Sequence, residues 1–133
     1  MIDIYNELYD IIATALRAEF PGIFVTGTVV SAPPQFSAVS LVERSNTTYR
    51  RSLDGEGVEN HSSLMWECQY FSNLNSGAVA QCRAIAKVVD DIMISYNFMR
   101  TMFEQIPNEA PGITRMVARY VGLVSADGEM YRV

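Results

Sequence analysis

The sequence predicts an α+β fold: an antiparallel β-sheet with two helices packed on one face. Two segments carry apolar residues at helical spacing, and the stretches between and after them alternate with a period of two. The helices are separated by runs of strands instead of alternating strictly with them, which argues against a parallel α/β arrangement. The predicted order is helix, three strands, helix, two strands and a short terminal hairpin strand, forming one domain over 1–133 with an extended polar arm at about 45–62.

The first helix runs from Ile4 to Phe20, where Ile4, Leu8, Ile11, Ile12, Ala15, Leu16 and Phe20 make the apolar stripe. Asp3 is its candidate N-cap and Pro21-Gly22 its stop. The polar face is acidic, so the stripe is read as core and not as a membrane-surface face. Ile23 to Val30 is a β-branched strand with Gly27 as a possible bulge, ended by Pro33-Pro34. Ala38 to Arg44 is the second strand. Ser45 to Ser62 has no apolar period and reads as a long loop or polar hairpin arm, a length that in a compact domain goes with function or disorder.

In Ser63 to Phe71, the set Leu64, Trp66, Cys68 and Tyr70 is expected to face the core. Asn73 or Asn75 is expected to cap the second helix, whose stripe is Val79, Cys82, Ile85, Ala86, Val89, Ile92, Met93 and Tyr96. Phe98 to Ile106 is the fourth strand. The chain closes with a long strand from Ile113, an Asp127-Gly128 turn and a short return. Neither face of the long strand is cleanly polar, since Arg115, Val117, Arg119, Val121 and Leu123 alternate with Met116, Ala118, Tyr120 and Val124. Such a strand suits a sheet whose outer face touches a neighbour, although scattered exposed apolar residues would look the same.

At 133 residues with 49% apolar and 19% charged side chains, the chain has material for one packed core and no case for global disorder. No apolar run approaches the ~20 residues of a membrane span, and no export signal is visible at the N-terminus. The net charge of −5 argues against nucleic acid as the main partner. Nine of the ten cations are arginine, a bias towards the side chain favoured at protein interfaces.

No constellation in the sequence carries catalytic chemistry. His61 is the only histidine and is read as an exposed loop residue; with Glu56 and Glu59 alone it makes no metal site. Cys68 and Cys82 match no thiol motif and are expected as buried, reduced thiols, with a disulfide left open. Asp90 and Asp91 point in different directions on a helix. Asp54-Gly55-Glu56-Gly57 lacks the Gly-Lys-Ser/Thr of a phosphate loop and reads as a turn. No cofactor, metal or enzymatic activity is expected. The candidates for protein contact are Arg50, Arg51, Asp54 and Glu56 in the arm, and Arg115 and Arg119, which share a face of the closing strand.

As a whole the chain resembles the tail terminator, or tail completion, proteins of long-tailed bacteriophages. The resemblance rests on the helix ending in Phe-Pro-Gly, the strands flanking the polar arm, the helix after Asn75 and the C-terminal Arg-Met-Val-Ala-Arg-Tyr-Val-Gly…Asp-Gly-Glu-Met-Tyr-Arg hairpin. It implies a virion structural protein, assembled in the host cytoplasm and located at the neck. There it would form a hexameric ring on the finished tail tube, stop elongation and offer a surface for head joining. The implied partners are copies of itself, the tail tube protein and neck or connector proteins. DNA would pass through the lumen without sequence-specific binding, and no membrane is involved. The alternatives are another neck component, such as a head completion or head-tail joining protein, and a small-molecule-binding α+β domain using Tyr70, Tyr96, Tyr120 and Cys82.

Overall fold

The structure, a computed structural model, describes residues 1–48, 61–108, 110–125 and 130–131. Its elements are α1 (Tyr5–Glu19), β1 (Phe24–Thr26), β2 (Ala38–Thr48), β3 (His61–Ser72), α2 (Ala78–Ser95), β4 (Met99–Ile106), β5 (Thr114–Ser125) and β6 (Met130–Tyr131). The class is α+β, as expected. The strands form one sheet in the order β1-β2-β3-β5-β4, with β6 continuing along β5 beyond the end of β4.

The expectation of a purely antiparallel sheet is corrected, because β1 pairs with β2 in parallel while the remaining pairs are antiparallel. The reason lies in residues 27–37, which do not turn back as a hairpin. The segment runs out over the sheet instead: the Ser40 hydroxyl donates to the Thr28 carbonyl at 2.7 Å, and the Asn108 side-chain amide, beyond β4, donates to the Ser31 carbonyl at 2.9 Å. A parallel neighbour requires such a crossover. Pro33, at the far end of this strap, is buried.

Both helices cover the other face. Leu8, Ile12 and Leu16 of α1 and Cys82, Ile85, Val89 and Met93 of α2 close over Val39, Leu41, Leu64, Trp66, Cys68, Tyr70, Met116, Ala118 and Tyr120 in a single core. The period-two reading of β3 and the 3.6-residue reading of both helices therefore identify core residues correctly in most positions. Ile11, Val79 and Tyr96 are the exposed departures, at 40%, 38% and 37%, the first two at the flank of their stripes and the last at the helix end.

The element ends differ in detail. Tyr5 N–H is taken by the Asp3 carboxylate at 3.0 Å, although the N-cap position itself is Ile4. Neither Asn73 nor Asn75 caps α2; its N-cap is Gly77 in the left-handed region. At the other end of α2, Tyr96 is the C-cap and is 37% exposed. Asn97 follows at φ 64°, and Phe98 N–H returns to the Met93 carbonyl at 3.0 Å. That left-handed residue reverses the chain into β4.

The arm begins later than the sequence suggests. Ser45 to Thr48 continue β2, paired with Met65 to Ser62 of β3, after a bulge at Arg44. His61 is the first residue of β3, half-buried and paired with Ser125, and is not an exposed loop residue. Residues 49–60 lie outside the described residues.

One further contact fixes α1. Tyr5 stacks on Trp66 at 5.1 Å and donates its hydroxyl to the Leu41 carbonyl at 2.9 Å, while Tyr9 reaches the Val25 carbonyl at 3.2 Å. The Tyr5 hydroxyl occupies the space a side chain at residue 27 would need, so Gly27 serves a close approach and not a bulge.

Candidate functional site

The outer face of the sheet, away from the helices, divides into two halves. At one end Ala38, Phe71 and Val117 are buried although they lie outside the helical core. At the other end Val42, Met65, Val121 and Leu123 are only half-buried, and Met99 is 50% exposed. A polar row runs diagonally across the face, from Arg119 and Glu67 through Gln69 to Arg115 beside Phe71.

Register builds that row. On β3, Glu67 and Gln69 are successive outward residues, and β5 sets Arg119 opposite Glu67 and Arg115 opposite Phe71. Arg119 Nε donates to Glu67 Oε2 at 2.9 Å, and Arg115 Nε donates to Gln69 Oε1 at 3.0 Å. Gln69 closes the chain by donating to Glu67 Oε1 at 2.8 Å. From the other side the bulge residue Arg44 brings its guanidinium within 3.7 Å of the same carboxylate.

Glu67 and Gln69 are almost wholly shut off from water, whereas Arg44 and Arg119 stay about half-exposed at 46% each. A buried carboxylate is stable only when paired and hydrogen-bonded. Desolvation pushes the Glu67 pKa up, but the bonds from Gln69 and Arg119 and the charges of Arg44 and Arg119 outweigh it, so the group is held below the usual glutamate range. Glu67 therefore stays ionised at neutral pH.

With Glu104, which β4 sets beside Val117 on the same face, three guanidinium groups and two carboxylates leave one net positive charge here, in a chain whose total is −5. Arg115 and Arg119 are each tethered through Nε, the inner nitrogen, and among the described residues neither uses its two terminal nitrogens in a hydrogen bond. They lie four residues apart on one strand face, roughly 13 Å. Fixed forks of this kind suit carboxylates on an opposing protein surface.

The structure thus places Arg115 and Arg119 together on one face, as the strand pattern suggests, and adds Glu67, Gln69 and Arg44. The outward alternation of Glu67 and Gln69 was legible on β3, but their partners depend on the β3–β5 register. Arg50, Arg51, Asp54 and Glu56 lie outside the described residues. Of the residues of the pocket alternative, Tyr70, Tyr120 and Cys82 lie in the core, with Tyr120 also lining a small cleft between α2 and β4, and Tyr96 caps a helix.

Cys68 and Cys82 are free and buried, and burial pushes their thiols up to about 12 and about 11. Among the described residues no group of three His, Cys, Asp or Glu side chains could hold a metal, and no helix is long and apolar enough to cross a membrane. Comparison of the sequence with protein-family models and with curated proteins finds no match.

Proposed function

We propose that this protein is a structural component of a phage neck that caps the tail tube as a closed ring, in the manner of the tail terminators its sequence resembles. In this reading it ends tail elongation and presents the joining surface for the head. The supporting observation is the outer sheet face, where Arg44, Arg115 and Arg119 are held by a buried Glu67–Gln69 pair next to a half-open apolar stripe. A ring needs heterologous contacts between two different patches of one subunit. A face combining apolar area with oriented arginines has the composition of an interface core.

The rest of the fold accords with that role. The β2–β3 ladder extends to Thr48 and Ser62, and β4 leaves a second edge open among the described residues. A chain that assembles around DNA gains from an acidic total, which avoids gripping the phosphates in transit.

Native mass spectrometry across a concentration series, with negative-stain imaging and addition of purified tail tubes, tests the proposal. The expected result is a hexameric ring, either free or assembled on tube ends, with halted tube growth. A monomer that neither binds tubes nor halts their growth overturns it. Binding to head connectors but not to tubes would reassign the protein to another neck position.

A further inference from the structure

On the helix side of the sheet, opposite the Glu67 row, α2 and β4 leave a cleft of about 70 Å³ between them. Phe103, Ala86 and Tyr120 line it together with the charged Arg83, Lys87, Arg100 and Asp90. Asp90 is already committed, because its Oδ1 accepts the Tyr120 hydroxyl at 2.7 Å and the Arg100 guanidinium at 2.9 Å. Arg83 and Lys87 sit one helical turn apart and exposed, and among the described residues no carboxylate lies within ion-pair distance of either. Arg83 is held over the Phe103 ring at 5.3 Å. The cleft is therefore cationic in an acidic protein, with one wall already oriented.

The cleft borders an open strand edge. β4 pairs with β5 on one side, and its other side is unpaired among the described residues. A bulge at Thr101 blunts one end of that edge, but Met102 to Ile106 runs in regular register and holds no proline. Phe103 faces the helices, opposite Ala118 of the core. A strand added along this edge would place every second side chain on the helix side, next to Phe103 and beneath Arg83 and Lys87. The volume suits one methylene-linked carboxylate, being little more than twice the ~30 Å³ of a water molecule, and is far below the ~300 Å³ of an ordinary ligand pocket.

We propose that the β4 edge and this cleft dock an extended acidic segment of a partner protein by strand addition, with one Glu or Asp side chain seated between Arg83 and Lys87. The apolar Phe103 ring takes the methylene and the two cations take the carboxylate. This inference uses neither the outer face nor the tail-capping reading.

A fluorescent peptide of about seven residues, alternating valine and glutamate, tests it against the intact protein, alongside the same peptide with glutamine. The glutamate peptide is expected to bind, at least ~10-fold tighter than the glutamine one and more weakly as salt rises. Arg83→Gln and Lys87→Gln should each weaken binding about 3- to 10-fold with unchanged circular dichroism, and Arg17→Gln, at an exposed cation of α1, should leave it unchanged. The amides of Met102 to Ile106 should gain exchange protection. No binding at about 1 mM peptide, equal binding of the two peptides, or insensitivity to both cleft substitutions overturns the proposal. So does displacement by inorganic phosphate at concentrations comparable to the peptide, which would reduce the cleft to a simple anion patch.

Discussion

Replacing Glu67 by Gln removes the buried carboxylate of the outer row while keeping its shape. The variant leaves Arg119 and Arg44 facing a neutral amide and lets the Gln69 side chain choose a new orientation. Removing one member of a fully buried pair costs about 3–5 kcal/mol, and an exposed pair contributes about 0.2–1 kcal/mol. Here the carboxylate is buried, but it is covered by arginine side chains that are themselves 46% exposed and can rehydrate. The expected cost therefore falls between the limits, at about 2 kcal/mol near pH 7, or a Tm lower by roughly 6–10 °C for a chain of this size.

The pH dependence gives the sharper test. Because the folded pKa of Glu67 is depressed, its contribution is fully present above the unfolded glutamate value of about 4.3 and is lost as pH falls through the still lower folded value. Denaturant unfolding of both proteins, followed by circular dichroism, should show a gap that is constant from about pH 6 to 7 and closes below about pH 4. Adding Arg119→Gln in a double-mutant cycle should recover part of the loss, since the stranded cation is then also removed. A gap below about 0.5 kcal/mol at neutral pH, or one that persists unchanged in acid, would refute the argument that Glu67 is an ionised anchor.

Four further outcomes follow from the geometry. Gly27→Ala pushes against the Tyr5 hydroxyl and should cost about 1–3 kcal/mol, with a change in the emission of Trp66, the single tryptophan, as Tyr5 leaves its ring. Asn97→Ala should cost about 1 kcal/mol in thermal unfolding because φ is 64° there, whereas Asn97→Gly should be far milder. Iodoacetamide near neutral pH should label Cys68 and Cys82 only at the rate of unfolding, because burial holds both thiols protonated. Deleting 50–59 should leave the thermal transition nearly intact, since the Ser45–Thr48 ladder remains paired, while abolishing tube capping in the assembly assay.

Much of this fold could be read one element at a time. The Leu8, Ile12 and Leu16 spacing and the Leu64 to Tyr70 alternation report local geometry, because a helix and a strand each repeat their side-chain direction at a fixed interval. The Phe-Pro-Gly stop of α1 and the turn chemistry before β5 are equally local. Arg115 and Arg119 could be placed on one face for the same reason. The parallel pairing of β1 could not be read, since Pro33-Pro34 marks a break without saying whether the chain returns as a hairpin or crosses the sheet.

The ambivalent pattern of β5 shows what tertiary structure adds. Its outward Val117 is buried although it lies outside the helical core, and its outward arginines are held by β3 residues some fifty positions earlier in the chain. The sequence by itself determined the helices, the strand faces and the absence of a recognisable catalytic motif, because these depend on neighbours within a few residues. Only the tertiary structure decided which polar side chains meet, which apolar ones are covered and where a cationic cleft opens beside a free edge. Those outcomes depend on register and on the path of connections, and a one-residue shift of register would exchange the two faces of the sheet.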